Sequence, residues 1–320
     1  MRKAVCLLVL SCLAIAWTSS AGAEAPPSFV TAFGSPPGLS SPYGITLDPR
    51  SGYVYVSDQN NYRICKFTLV GGFVLAWGSF GHGDGQFSLT IGLAIDGSGN
   101  VYVADYGNSR VQEFTSQGAF VRKWGHQGSG NGEFNGPRAV CVTSNGEIVV
   151  TDSANNRVER FTPQGGYLGQ WSVVGGATTP HGIVEDAAGN FLIAEQGASS
   201  RLTEYSATGT FIAALAVAGT APGYLSGPAG LALDALGNIY VADYQNNRIQ
   251  KFSATGQWLS AWGPRVGSTP GLFDRPVDVA IDPSGSIYVV DLGNNRIQVF
   301  AYQTVSALRT TWSALKAAYR

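Results

Sequence analysis

At 320 residues the chain is long enough for one large domain or two smaller ones, with a sizeable core either way. Its 42 Gly, 15 Phe, 14 Tyr and 7 Trp, set against only 13% charged residues, exclude a helical bundle and fit a turn-rich all-β chain. The 20 basic and 21 acidic side chains leave a formal charge of -1, so no overall field draws the protein to nucleic acid or anionic lipid, and any partner must be recognised locally.

In chain order, the first feature is Arg2-Lys3, an apolar stretch from Ala4 to Trp17, and Ala21-Gly22-Ala23. This is the layout of a secretory signal with an A-x-A cleavage site. It predicts a signal peptide over 1–23, a mature chain from Glu24, a secreted or periplasmic location, and no transmembrane segment after cleavage. A lipoprotein signal ending at Cys12 is the rival reading, but Leu13 to Trp17 stay apolar where a lipoprotein turns polar. Cleavage removes Cys6 and Cys12. Cys65 and Cys141 then remain, in repeat units that are not neighbours, and they are predicted to be two buried free thiols.

SFVTAFG (28–34) comes next, an outer-strand pattern with no unit before it, and a repeat begins behind it. Acidic residues recur at Asp58, Asp105, Asp152, Glu195, Asp243 and Asp291, and arginines at Arg63, Arg110, Arg157, Arg201, Arg248 and Arg296. In the second unit IGLAID, VYVAD, RVQEF and AFVRKWG are four short strands in a meander, separated by tight turns. Runs such as VYVA are apolar on both faces, as a sheet packed between two others requires. Six such units read as an all-β, six-bladed β-propeller with four antiparallel strands per blade. The last unit stops at RIQVF (296–300) without an outer strand, so 28–34 is expected to complete the last blade. The propeller is placed at 24–303. The 304–320 tail, with Trp312, Leu315 and Tyr319 at helical spacing, favours a capping helix.

The segments P-x-G-[IL]-x-x-D, [VI]-Y-V-x-D, N-x-R-[VI]-Q-x-F and W-G-x-x-G-x-G-x-F resemble the NHL repeat over about residues 29 to 300. Unit four departs most: Glu195 replaces the aspartate, the asparagine is lost and one residue is inserted. The pairs Asp58/Arg63, Asp105/Arg110, Asp152/Arg157, Asp243/Arg248 and Asp291/Arg296 read as scaffolding. They are expected to face each other across the base of a hairpin, with the carboxylate also capping turn amides. A catalytic group is needed once, whereas these recur in every blade.

GHGDGQF (81–87) and GSGNGEF (128–134) look like phosphate loops but precede no helix; they read as inter-blade loops with Phe87 and Phe134 wedged between blades. DGSGN (96–100) lacks the later ligands of a calcium loop and reads as a turn. The inter-blade loops and the turn after each second strand open on one face, which is the candidate binding surface. It carries His82, His126 and His181. Among similar propellers, peptidyl-hydroxyglycine amidating lyases hold zinc with three axial histidines, and gluconolactonase-like and strictosidine-synthase-like propellers also have this shape. Here the inner strands start at Tyr43, Ile91, Arg138, His181, Ala229 and Val277, giving one axial histidine. Tyr43, Arg138 and His181 opposite an apolar wall form the candidate ligand site, suited to an anionic group. The expectation is a monomeric, non-catalytic binding module for a protein or a small anionic ligand, with no cofactor. A metal-dependent lyase or hydrolase using the same face, with zinc or calcium held through His82, His126 and His181, is the alternative. RNA binding, as in cytoplasmic NHL proteins, conflicts with the export signal and the charge.

Overall fold

The computed structural model describes residues 23–174 and 178–302. Residues 1–22 of the segment expected to be a signal, and the tail expected to form a helix, lie outside the described residues. Among the described residues twenty-four strands form six four-stranded antiparallel sheets, five of them simple meanders and the sixth completed by the N-terminal strand. Blade 1 comprises Pro42–Asp48, Tyr53–Asp58, Arg63–Thr68 and Phe73–Trp77, numbered from the inner strand outward. Blades 2 to 5 repeat this from inner strands Thr90–Ile95, Pro137–Val142, Thr178–Glu185 and Pro228–Leu233. Blade 6 runs Pro276–Ile281, Ile287–Asp291 and Arg296–Ala301, and its outer strand is Ser28–Phe33. Ser28 lies opposite Ala301 and Phe33 opposite Ile297, so the N-terminal strand closes the ring as expected. Among the described residues no helix is long and apolar enough to cross a membrane.

The second and third strands of the blades are buried on both faces, Val101–Asp105 along its whole length, because their side chains fill the gaps between neighbouring sheets. Phe87 and Phe134, both fully buried, wedge between blades. Gly125 (φ +87°) leaves the room for one of them: a Cβ there would come within 2.4 Å of the Phe134 ring. Cys65 and Cys141 are buried free thiols, each pushed up to about 12 by burial.

The Asp/Arg pairs face each other as expected: Asp105 is registered opposite Arg110, and Arg110 Nε donates to Asp105 Oδ2 at 2.8 Å. The remaining bonds differ from the expectation. No aspartate caps its own turn, because a residue in the left-handed region, Ser109 in blade 2, closes that turn through the backbone (Ser109 N to Tyr106 O, 3.2 Å). The carboxylate is therefore free to accept from the preceding inter-blade loop, Ser88 N to Asp105 Oδ1 at 3.0 Å. The guanidinium donates to three carbonyls of that loop, on His82, Gly83 and Gln86. The same clamp recurs at Asp58/Arg63, Asp152/Arg157, Asp243/Arg248 and Asp291/Arg296. In blade 4 Glu195 and Arg201 replace it at 2.7 Å, the longer acid spanning the inserted residue. The pairs thus position the loops that form the upper face.

Candidate functional site

The inner strands converge on the axis, and their first turns of sequence decide its shape. One residue past each strand start stand Gly44, Gly92, Ala139, Gly182, Gly230 and Asp278. A Cβ at Gly44 would lie 2.2 Å from Ile91 O, and one at Gly92 would lie 2.3 Å from Arg138 O. Small residues at this level let adjacent blades meet backbone to backbone and make the waist of the channel.

Above the waist the structure brings Tyr43, Arg138 and His181 into one cleft of about 40 Å³, room for a group the size of a carboxylate. Arg138 Nη1 donates to the Tyr43 hydroxyl at 3.1 Å, and its guanidinium lies 5.2 Å from the Tyr106 ring centre. No carboxylate pairs with Arg138 among the described residues, and its Nε is buried without a hydrogen-bond partner. Burial, offset in part by Arg138, raises the Tyr43 phenol above its ordinary value. His181 is buried, and burial followed by the Arg138 charge holds it well below the usual imidazole value, so it is neutral at pH 7. The rest of the lining is apolar, from Ile91, Ala229 and Val277, apart from the Asp278 carboxyl at the waist.

The other two histidines lie apart. His82 is on an inter-blade loop with Nδ1 2.6 Å from Asn108 Oδ1, and His126, three-quarters exposed, faces Glu133 at 3.3 Å. Among the described residues no three His, Cys, Asp or Glu side chains gather as metal ligands would.

Two residues of the site were missed from sequence. Tyr106 follows Asp105 directly, and its ring lies beside the Arg138 guanidinium. Asp278 stands at the waist, where the P-x-G pattern has glycine in four blades, and this substitution was its signal. Its Oδ2 accepts from Ile45 N at 2.9 Å and its Oδ1 from Val279 N at 2.9 Å, while its residual exposure is to the channel. Burial without a counter-charge lifts the carboxyl to about 7. Below it the channel widens into a chamber of about 510 Å³.

A closed ring of six four-stranded blades about one axis defines a β-propeller. The sequence model of the NHL repeat matches residues 91–114, 134–161, 225–252 and 273–300. With the six blades, this makes the chain an NHL-repeat β-propeller. None of the curated proteins searched matches it. Among solved structures, virginiamycin B lyase from Staphylococcus aureus, determined with quinupristin, is 15% identical, with TM-score 0.59, covering 82% of this chain and 95% of that one. A gluconolactonase from Xanthomonas campestris is 14% identical, with TM-score 0.64 and coverage of 83% and 87%. An auxiliary nutrient binding protein from Bacteroides ovatus is 16% identical, with TM-score 0.64 and coverage of 83% and 70%. At these identities the likeness is one of fold.

Proposed function

We propose that this exported NHL-repeat propeller is a non-catalytic binding module that takes a small anionic ligand, or an anionic group of a protein partner, in the upper axial cleft. The observation that carries this reading is Arg138: a guanidinium on the axis with no carboxylate partner and an unused, buried Nε. A bound carboxylate would supply that partner in bidentate geometry, with neutral His181 and the Tyr43 hydroxyl completing the set. The cleft admits only the head of such a ligand, so its body would leave through the mouth past Tyr106. Similar folds serve both a nutrient binding protein and enzymes, which is compatible with binding and does not decide it.

Thermal shift with a panel of small carboxylates and phosphates tests the reading. At least one should raise the melting temperature of the native protein, and the effect should fall at least about tenfold in apparent affinity in Arg138→Ala. Equal stabilisation of both proteins by every active anion would place the site elsewhere. For the lyase or hydrolase alternative, His82 and His126 would have to leave their rim partners. Stoichiometric zinc or calcium in the purified protein is the result that would favour it.

A further inference from the structure

The chamber below the waist differs in chemistry from the anion cleft above it, with which it shares only the waist residues Gly92, Ala139, Gly182, Gly230 and Asp278. Its lining is mainly apolar, with Ile95, Val142, Val184, Leu233 and Ile281 among the residues around it and Thr46 from blade 1. In its ceiling sits the carboxyl of Asp278, which forms no ion pair among the described residues and receives only the two backbone amides of Ile45 and Val279. Two amides leave lone pairs of both oxygens unused. An ionisable group in an apolar surround with no counter-charge is costly unless something brings one.

The mouth of this chamber is acidic. The turn between first and second strands begins with aspartate in five blades, at Asp48, Asp96, Asp186, Asp234 and Asp282, and Asp234 and Asp282 line the chamber itself. These carboxylates hold their turns, as in Ser98 N to Asp96 Oδ1 at 2.7 Å and Ser284 N to Asp282 Oδ1 at 2.8 Å. Arg50 answers only one of them, Asp48, at 3.4 Å. Carboxylates around the opening and a carboxyl at the blind end make a field that favours cations, while the walls favour hydrocarbon.

We propose that the lower chamber is a second binding site, for a small apolar molecule carrying a protonated amine, the ammonium meeting Asp278 and the hydrocarbon body lying against the chamber wall. The ammonium donates to the unused lone pairs of the carboxylate and supplies the charge that the fold withholds. The volume suits a ligand of metabolite size.

Phenethylamine and hexylamine, with phenethyl alcohol and hexanol as neutral matches, are the probes, each titrated into the full-length protein by calorimetry and thermal shift. The amines should bind and the alcohols bind at least about tenfold more weakly. Asp278→Asn should lose the preference for the amine, and Val142→Phe, which fills the chamber without touching the acid, should weaken both members of each pair. Val142→Phe should leave stabilisation by anions unchanged, which separates this site from the anion cleft, whose lining does not include Val142. Equal binding of amine and alcohol, or an amine affinity retained in Asp278→Asn, overturns the proposal. So does calcium chloride stabilising the protein through Asp278 while the amines do not.

Discussion

Glu159 stands where three other blades carry glutamine. Gln112, Gln250 and Gln298 each accept a loop amide and donate twice, Gln112 to Gln86 O at 2.8 Å and to Asp105 Oδ2 at 3.1 Å. Glu159 keeps the acceptor role, from Gly132 N at 3.0 Å, but when ionised has no hydrogen to donate and lies beside Asp152. Burial, offset first by Arg157, pushes it up to about 7. Because the folded value is raised, its destabilisation is absent below the unfolded value and grows as pH rises to about 7. Glu159→Gln should therefore raise the melting temperature above neutral pH, by roughly 2–4 °C for each 1 kcal/mol regained, and a melt at roughly pH 4 should show the gain gone. Asp278 follows the same sign with a larger span, from an ordinary value near 4 to about 7. The stability of Asp278→Asn relative to the native protein should increase by on the order of 3–4 kcal/mol between those limits, read by denaturant unfolding at a series of pH values. A flat difference would mean that the carboxyl has found a cation.

Within the hairpin, the Asp/Arg clamp is a buried charge pair with each atom engaged, so removing one partner strands the other. Asp105→Ala should lower unfolding free energy by about 3–5 kcal/mol, while Lys123→Ala, which breaks the exposed pair with Asp84, should change it by less than about 1 kcal/mol. Comparable losses in the two variants would remove the structural role assigned to the pair. The pairing itself was legible because a two-residue register and a short turn fix which side chains oppose each other. The loop contacts of Arg110 were not, since they join it to carbonyls 24 to 28 residues earlier, a distance in sequence that only ring geometry closes. The cleft was legible for the same reason in part: strand starts must converge, which exposed Tyr43, Arg138 and His181. Tyr106 escaped because its contact with Arg138 joins neighbouring blades across 32 residues of sequence. Asp278 escaped because the eye follows the variable residue of P-x-G and passes over the glycine it replaces.

For the whole ring, closure rests on one strand, and Phe29 and Phe33 add ring contacts with Phe300 and Phe67. Deleting residues 24–35 should lower stability by several kcal/mol, because it exposes the third strand of blade 6 as a bare edge and empties the last interface. A truncated protein melting with the full-length one would refute this. The closure also orders events in time. Of the described strands the most N-terminal pairs with the most C-terminal, Phe29 with Phe300, so it must wait unpartnered while five blades and most of a sixth are synthesised, and the loop between them is the longest among the described pairings. A circular permutant that joins residue 301 to residue 28 by a short turn and opens the chain near residue 37 keeps every strand pairing of the six blades and makes that pairing local. It should melt close to the native temperature and refold faster, which makes the chain's starting point a matter of kinetics and leaves the final architecture untouched.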